Sequence, residues 1–231
     1  MTNRTRPLAL LALTGALLSG CAAATTGLPL SAATQPGTTQ PGTAPSASAT
    51  ATGPSTSVTT TIAIGPGPSG HYTVQPQPAP GTCHYRVLDA AAGKVLPDPT
   101  CTPGAISPTV TPATLATTIC RSGYTASIRP PTAITRREKA ASVAAYAYAG
   151  NPHVVEYDHL ISLELGGDPN DPRNLWPEPN AATASSFTNA KDAVESRLHA
   201  LVCRGAITLT AAQRAIATDW TTALAAVSTG T

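Results

Sequence analysis

Glu156-Tyr157-Asp158-His159-Leu160-Ile161-Ser162-Leu163-Glu164-Leu165-Gly166-Gly167-Asp168, followed by Pro172-Arg173-Asn174-Leu175-Trp176-Pro177-Glu178-Pro179, is the stretch on which the fold turns. Val154 to Leu165 reads as extended structure running into the turn signal Gly166-Gly167, and a second extended piece follows near Asn174 to Trp176. Next, Thr188 to Cys203 reads as a helix that ends at Gly205. The order is extended piece, loop, extended piece, helix, which makes the fold class α+β. Asp158-His159 stands in the first extended piece, and Asn174-Leu175 opens the second.

Outward from this centre, His71 to Pro103 is extended and turn-rich, and Pro112 to Cys120 reads as a short helix with Pro112 in its first turn. Arg121 to Arg129 reads as a strand. Ile134 to Tyr148 reads as an Ala-rich helix with Gly150 placed to cap it. A last helix runs from Thr210, where Thr210 and Gln213 match a capping box, to about Val227.

The N-terminal third is of another kind. Arg4 and Arg6 precede the apolar run Pro7 to Leu18, the layout of a secretory signal over residues 1–20, and the run is too short to span a bilayer. Leu18-Ser19-Gly20-Cys21 resembles the cleavage box of bacterial lipoproteins, which implies acylation of Cys21, anchorage of the exported chain in the cell membrane by its acyl chains, and a site outside the cytoplasm. From 21 to about 70 the chain is Thr, Ser, Ala, Pro and Gly, too poor in large apolar groups to offset ordering entropy, and is expected to be a disordered stalk. One folded domain, 71–231, follows.

Between Arg6 and Arg86 there is no Asp, Glu, Lys or Arg. The 12 acids and all but two of the 14 bases therefore fall beyond residue 85, so a strongly basic nucleic-acid coat is excluded. With one Phe, two Trp and six Tyr, the core is built mainly from aliphatic residues and covalent help is expected. Setting Cys21 aside, Cys83, Cys101, Cys120 and Cys203 form an even set, which in an exported chain means two disulfides. Arithmetic leaves three pairings. Cys83 and Cys101 bracket a short Pro-rich loop while Cys120 and Cys203 each end a predicted helix, which favours Cys83 with Cys101 and Cys120 with Cys203. A structural zinc site is the competing idea, but no C-x-x-C spacing supports it.

The quoted stretch resembles the HNH endonuclease motif, and more closely a group of exported bacterial HNH-like proteins that share counterparts of Cys101-Thr102-Pro103-Gly104-Ala105, Ile119-Cys120, Ile128-Arg129-Pro130-Pro131, and Lys191-Asp192 with Glu195. The resemblance covers about residues 97–220. It implies a ββα-metal hairpin-helix unit, embedded in a mostly helical, disulfide-tied domain, with one divalent ion, magnesium or a similar ion such as manganese. It also implies a metal-dependent hydrolase cutting phosphodiester bonds of nucleic acid. Transferred by position, Asp158 is a metal-binding carboxylate, His159 the general base on water, and Asn174 the loop residue that orients the site. The chemistry wants these types: a cation on the phosphate supplies charge stabilisation, hard oxygen ligands suit magnesium, and imidazole is a suitable base near neutral pH.

The sequence departs from the family at the helix ligand, because an insertion follows Asn174-Leu175. On a helix from Thr188, residues Asp192, Glu195 and His199 fall within about 60° of one another, beside a stripe of Val194, Leu198, Leu201 and Val202. Asp192 and then Glu195 are the expected ligands, with His199 and Asn189 as weaker candidates. Lys191, Arg173 and Arg129 are candidates for holding phosphate. Each has a plainer alternative. The polar edge of this helix also suits a solvated face. Trp176 is more often core than a base-stacking platform. Arg121, Arg129, Arg136, Arg137 and Lys139 suit either a phosphate track or a solvated helix edge. Asp168 to Asp171 hints at a calcium loop, but Pro172 and Arg173 occupy positions that need a ligand and a Gly. The alternative function is a non-catalytic envelope lipoprotein that uses the frame for binding; no protein partner is inferable.

Overall fold

The computed structural model describes residues 61–182, 184 and 189–229. The proposed signal segment, Cys21 and the stalk up to residue 60 lie outside the described residues. Among the described residues strand β1 (Ala63–Ile64) comes first, followed by β2 (Arg86–Asp89), β3 (Lys94–Leu96) and β4 (Ala105–Ile106). Helices α1 (Tyr124–Ser127) and α2 (Thr132–Ala145) precede the hairpin β5 (Val155–His159) and β6 (Leu175–Pro179). Helices α3 (Ala190–Cys203), α4 (Leu209–Asp219) and α5 (Ala223–Ser228) complete an α+β architecture. The pairs are β1 with β4, parallel, and β2 with β3 and β5 with β6, both antiparallel.

The compositional boundary at residue 70 falls inside the folded part. Ala63 and Ile64 pair with Ala105 and Ile106, and the Gly67 amide donates to Asp168 Oδ2 at 2.7 Å. Backbone hydrogen bonding does not need large side chains, so a small-residue segment docks where a distant strand and a buried carboxylate accept it. Five helix and strand expectations also change. The extended piece expected over Val154 to Leu165 ends at His159, and Leu163–Leu165 forms a 3-10 turn with Leu163 and Leu165 buried. Residues 124–127 are helical and not a strand, because Tyr124 and Ile128, one helical turn apart, both point into the core. The 112–120 segment narrows to a 3-10 turn at Leu115–Thr117. The helix expected to run to Tyr148 stops at Ala145, so Gly150 is not its cap. The last helix is two, and its cap is Thr208, whose side chain accepts from the Ala211 amide at 3.1 Å. Gln213 turns inward instead and donates to the Leu165 carbonyl at 2.9 Å.

The larger core gathers Ile161, Leu163 and Leu165 with Leu198, Ile216 and Trp220. A second one joins Leu160 and Trp176 to Cys83 and Tyr146, so Trp176 is a core residue. The turn between β5 and β6 is held closed by its glycines. Gly166 has φ +76°, and any Cβ on Gly167 would lie 1.7 Å from the Ile161 carbonyl oxygen. Both favoured disulfides are present, with Cα separations of 6.0 Å for Cys83–Cys101 and 5.6 Å for Cys120–Cys203.

Cys120–Cys203 closes the long loop that contains the hairpin, and Cys203 is the last residue of α3. Reduction, or Cys120→Ser with Cys203→Ser, is expected to destabilise the chain by about 2 to 4 kcal/mol and lower its melting temperature by on the order of 10 °C. Calorimetry with and without reductant measures this, and an unchanged transition would mean that packing alone holds α3.

Candidate functional site

Strand β5 alternates its side chains between two sides. Register pairs Glu156 with Glu178 and Asp158 with Trp176, and, on the other side, Tyr157 with Pro177 and His159 with Leu175. The adjacent Asp158 and His159 therefore serve different surroundings.

On the first side, α3 supplies Lys191. Its ammonium is fully buried and donates to Asp158 Oδ2 at 2.5 Å, to the His159 carbonyl at 2.8 Å and to Glu195 Oε1. Glu178 Oε2 stands 3.7 Å away. All three ammonium protons are used. Burial alone would raise Asp158, but the Lys191 charge and hydrogen bonds hold it below its ordinary value. Burial raises Glu178 well above the usual carboxylate range, and because neither of its oxygens receives a hydrogen bond, it keeps its proton. Glu195 moves upward for the same first reason, against the pull of Lys191, and Glu156 is pushed up to about 7 by burial and then by Asp158.

On the other side, His159 lines a cavity of about 340 Å³ between the hairpin and α2, together with Arg129, Thr135, Arg136, Lys139 and Tyr157. Thr132, Thr135, Arg136 and Lys139 all line it, and at intervals of three and four residues they form one face of α2. His159 Nε2 lies 3.1 Å from the Pro169 carbonyl. A carbonyl can only accept, so Nε2 carries the proton and Nδ1 keeps the lone pair. Burial pushes the imidazole down to about 4, against the Asp158 carboxylate, so it is neutral at physiological pH.

Asn174 does not line the His159 cavity. Fully buried, its Oδ1 accepts from the Ile161 amide at 3.0 Å and its Nδ2 donates to the Ile161 and Asp168 carbonyls at 3.0 and 3.1 Å. It ties the chain leaving β5 to the turn and to the start of β6, a positioning role. Asp168, also buried, accepts from the amides of Gly67, Asn170 and Asp171 and so anchors backbone.

Several expected assignments are not met. Lys191 cannot hold a substrate phosphate, because it is buried and its protons are spent. Arg173 is clamped on Asp171, at 2.9 Å through Nε and 2.5 Å through Nη2, so only Arg129 of the three phosphate candidates reaches the cleft. Asp192 is exposed, and its amide donates to the Oδ1 of Asn189, the N-cap of α3. His199 faces the Ile119 carbonyl at 2.9 Å. Only Asp158 and Glu195 of the proposed ligands converge. The inward face of α3 runs Lys191, Glu195, Leu198, Val202, so the 4-3-4 spacing that marks the apolar stripe, extended one turn back, would have placed Lys191 inside. Glu178, given no role from sequence, was legible as the strand neighbour of Trp176 on the same side.

The divalent ion implied by the resemblance meets a definite obstacle. Asp158, Glu195 and the His159 carbonyl are hard oxygen donors of the right kind, yet the point they surround holds an ammonium, and the residues as arranged do not fit a metal there. Elsewhere, Cys120, His199 and Cys203 bring potential ligand atoms within 4.8 Å, but the two sulfurs are bonded to each other and offer no thiolate. Compared with family models, with curated proteins and with solved structures, the chain matches none.

Proposed function

We propose that this chain hydrolyses phosphodiester bonds of nucleic acid outside the cytoplasm, as an exported protein anchored to the membrane through acylated Cys21, with β5, β6 and α3 as its ββα-type frame. The observation that carries this is the neutral imidazole of His159, its tautomer fixed by the Pro169 carbonyl, in a cleft lined by Arg129, Arg136 and Lys139. The cleft binds the phosphodiester by charge, helped by the N-terminus of the 14-residue α2, and a bound phosphate beside His159 raises its proton affinity toward the working pH. His159 Nδ1 takes the proton of the attacking water as its oxygen bonds to phosphorus, the P–O bond to the leaving sugar oxygen breaks and that oxygen takes a proton from solvent, and the guanidinium and ammonium groups stabilise the charge that develops on the phosphate. Asn174 and the Gly166-Gly167 turn hold the imidazole in place.

Incubating the purified full chain with plasmid, single-stranded DNA and RNA, with magnesium, with manganese and with chelator, tests the activity. Cleavage of any of them supports the proposal. No cleavage by the folded protein under all conditions would leave the frame as a binding module of an envelope lipoprotein. Arg129→Ala and Arg136→Ala are each expected to weaken nucleic-acid binding and to reduce the slope of log affinity against log salt by about 0.7 to 0.9, the value of one phosphate contact. Fluorescence anisotropy over a salt series reads this; an unchanged slope in both would remove the cleft from the binding path.

A further inference from the structure

The geometry points to Lys191 as a built-in cation that stands at the cation point of the hairpin-helix frame and makes it independent of divalent metal. It rests on taking β5, β6 and α3 as a ββα-type unit, in which Asp158 and the helix are implied to share an ion. Here Asp158 Oδ2, Glu195 Oε1 and the His159 carbonyl oxygen all address one atom, Lys191 Nζ. That set satisfies the ammonium fully: three protons, three acceptors, and a side chain with no exposed surface. A divalent ion entering beside Lys191 would meet a cation already in place, and one entering instead of it would have to expel a buried, hydrogen-bonded side chain. The same residues without the ammonium, two carboxylates and a carbonyl, form a neutral complex with a divalent ion, which is why the two cations are alternatives.

Lys191 does not touch substrate. It is a positioning residue, because one of its three bonds holds the carbonyl of His159 itself and another holds the preceding side chain. It thereby fixes the end of β5 from which the imidazole projects into the cleft. The charge that a metal would place on the phosphate falls to Arg129, Arg136 and Lys139 on the other side of the strand.

Manganese binding and its effect on melting decide this, using the full chain. The wild-type protein is expected to bind no manganese at millimolar concentration by calorimetric titration, and its melting temperature is expected not to move with manganese or with chelator. Lys191→Ala is expected to gain one manganese site at least about 10-fold tighter than any wild-type binding, with a rise in melting temperature of about 5 °C or more on adding the metal, both lost in Lys191→Ala with Glu195→Gln. A merely structural lysine would not exchange for a metal in this way. One equivalent of manganese bound by the wild type, and lost in Glu195→Gln, would overturn the inference, as would a folded Lys191→Ala that gains no site. If Lys191→Ala does not fold even with manganese present, the wild-type and Glu195→Gln titrations still decide whether lysine and metal coexist. None of these readouts depends on cleavage, so a chain that cuts no nucleic acid would refute the proposed activity and leave this test standing. If the chain does cleave, its rate should be the same in chelator as in magnesium.

Discussion

His159→Ala is expected to lower the rate of nucleic-acid cleavage by roughly 10²- to 10⁴-fold, the usual worth of a positioned base, with substrate affinity held by the cleft cations. Single-turnover kinetics separate the two quantities, and wild-type turnover in this variant would remove the mechanism. The pH dependence gives a second reading of the same residue. Because burial holds the imidazole near 4 in the folded chain, the acid limb of kcat/KM should lie near pH 4 and not near the free-histidine value of about 6.5. Stability should follow the same shift. Between these two values the unfolded chain binds a proton that the folded chain refuses, so the stability contribution of this site is complete above about pH 6.5 and falls as pH drops toward 4, by on the order of 3 kcal/mol. In His159→Ala that contribution should be missing, so the difference in stability between variant and wild type should change by this amount between about pH 4 and pH 6.5, which denaturant titrations at several pH values can read.

Lys191→Met is expected to cost roughly 3 to 5 kcal/mol at neutral pH, a large share of a typical domain stability of about 5 to 15 kcal/mol. The methionine fills much of the space, so the loss is electrostatic: Asp158 and Glu195 remain buried with no counter-charge beside a protonated Glu178. Lowering the pH should recover part of the loss. The folded variant takes up protons on Asp158 and Glu195 at a higher pH than the unfolded chain does, so its stability relative to wild type improves as pH falls from about 7 to 5. Adding Glu195→Gln to Lys191→Met should recover part of it at neutral pH as well. Denaturation at pH 7 and pH 5 checks the sign, and a loss under about 1 kcal/mol at neutral pH would mean that water or a rearranged side chain already satisfies the carboxylates.

The two disulfides were legible from an even set of four cysteines, a short loop bracketed by Cys83 and Cys101, and Cys203 at the end of α3; Cys120 lies in the turn after the Leu115–Thr117 segment and does not end a helix. The hairpin was legible for a local reason too: the Gly166-Gly167 turn needs a positive φ and a missing Cβ, and these demands are written in residue type. The α3 helix and its N-terminal boundary came within two residues of the observed Ala190 start. His159 and Asn174 stood out by type and spacing, although their division into a cleft residue and a buried tie did not.

Sequence by itself determined the elements whose cause is local: the hairpin, its glycine turn, α3 and the exclusion of a basic coat. Tertiary structure alone decided which charges are buried. Whether Lys191 is a solvated phosphate ligand or a buried cation depends on Asp158 and Glu178, brought to it from two strands that precede α3 in the chain. Whether residues 61–70 are stalk or structure depends on Ala105, Ile106 and the Asp168 carboxylate. Residue type and spacing fix which face of a strand or helix a group occupies, but the free energy of burying a charge or a backbone amide is set by its partners, and those partners are chosen by the fold.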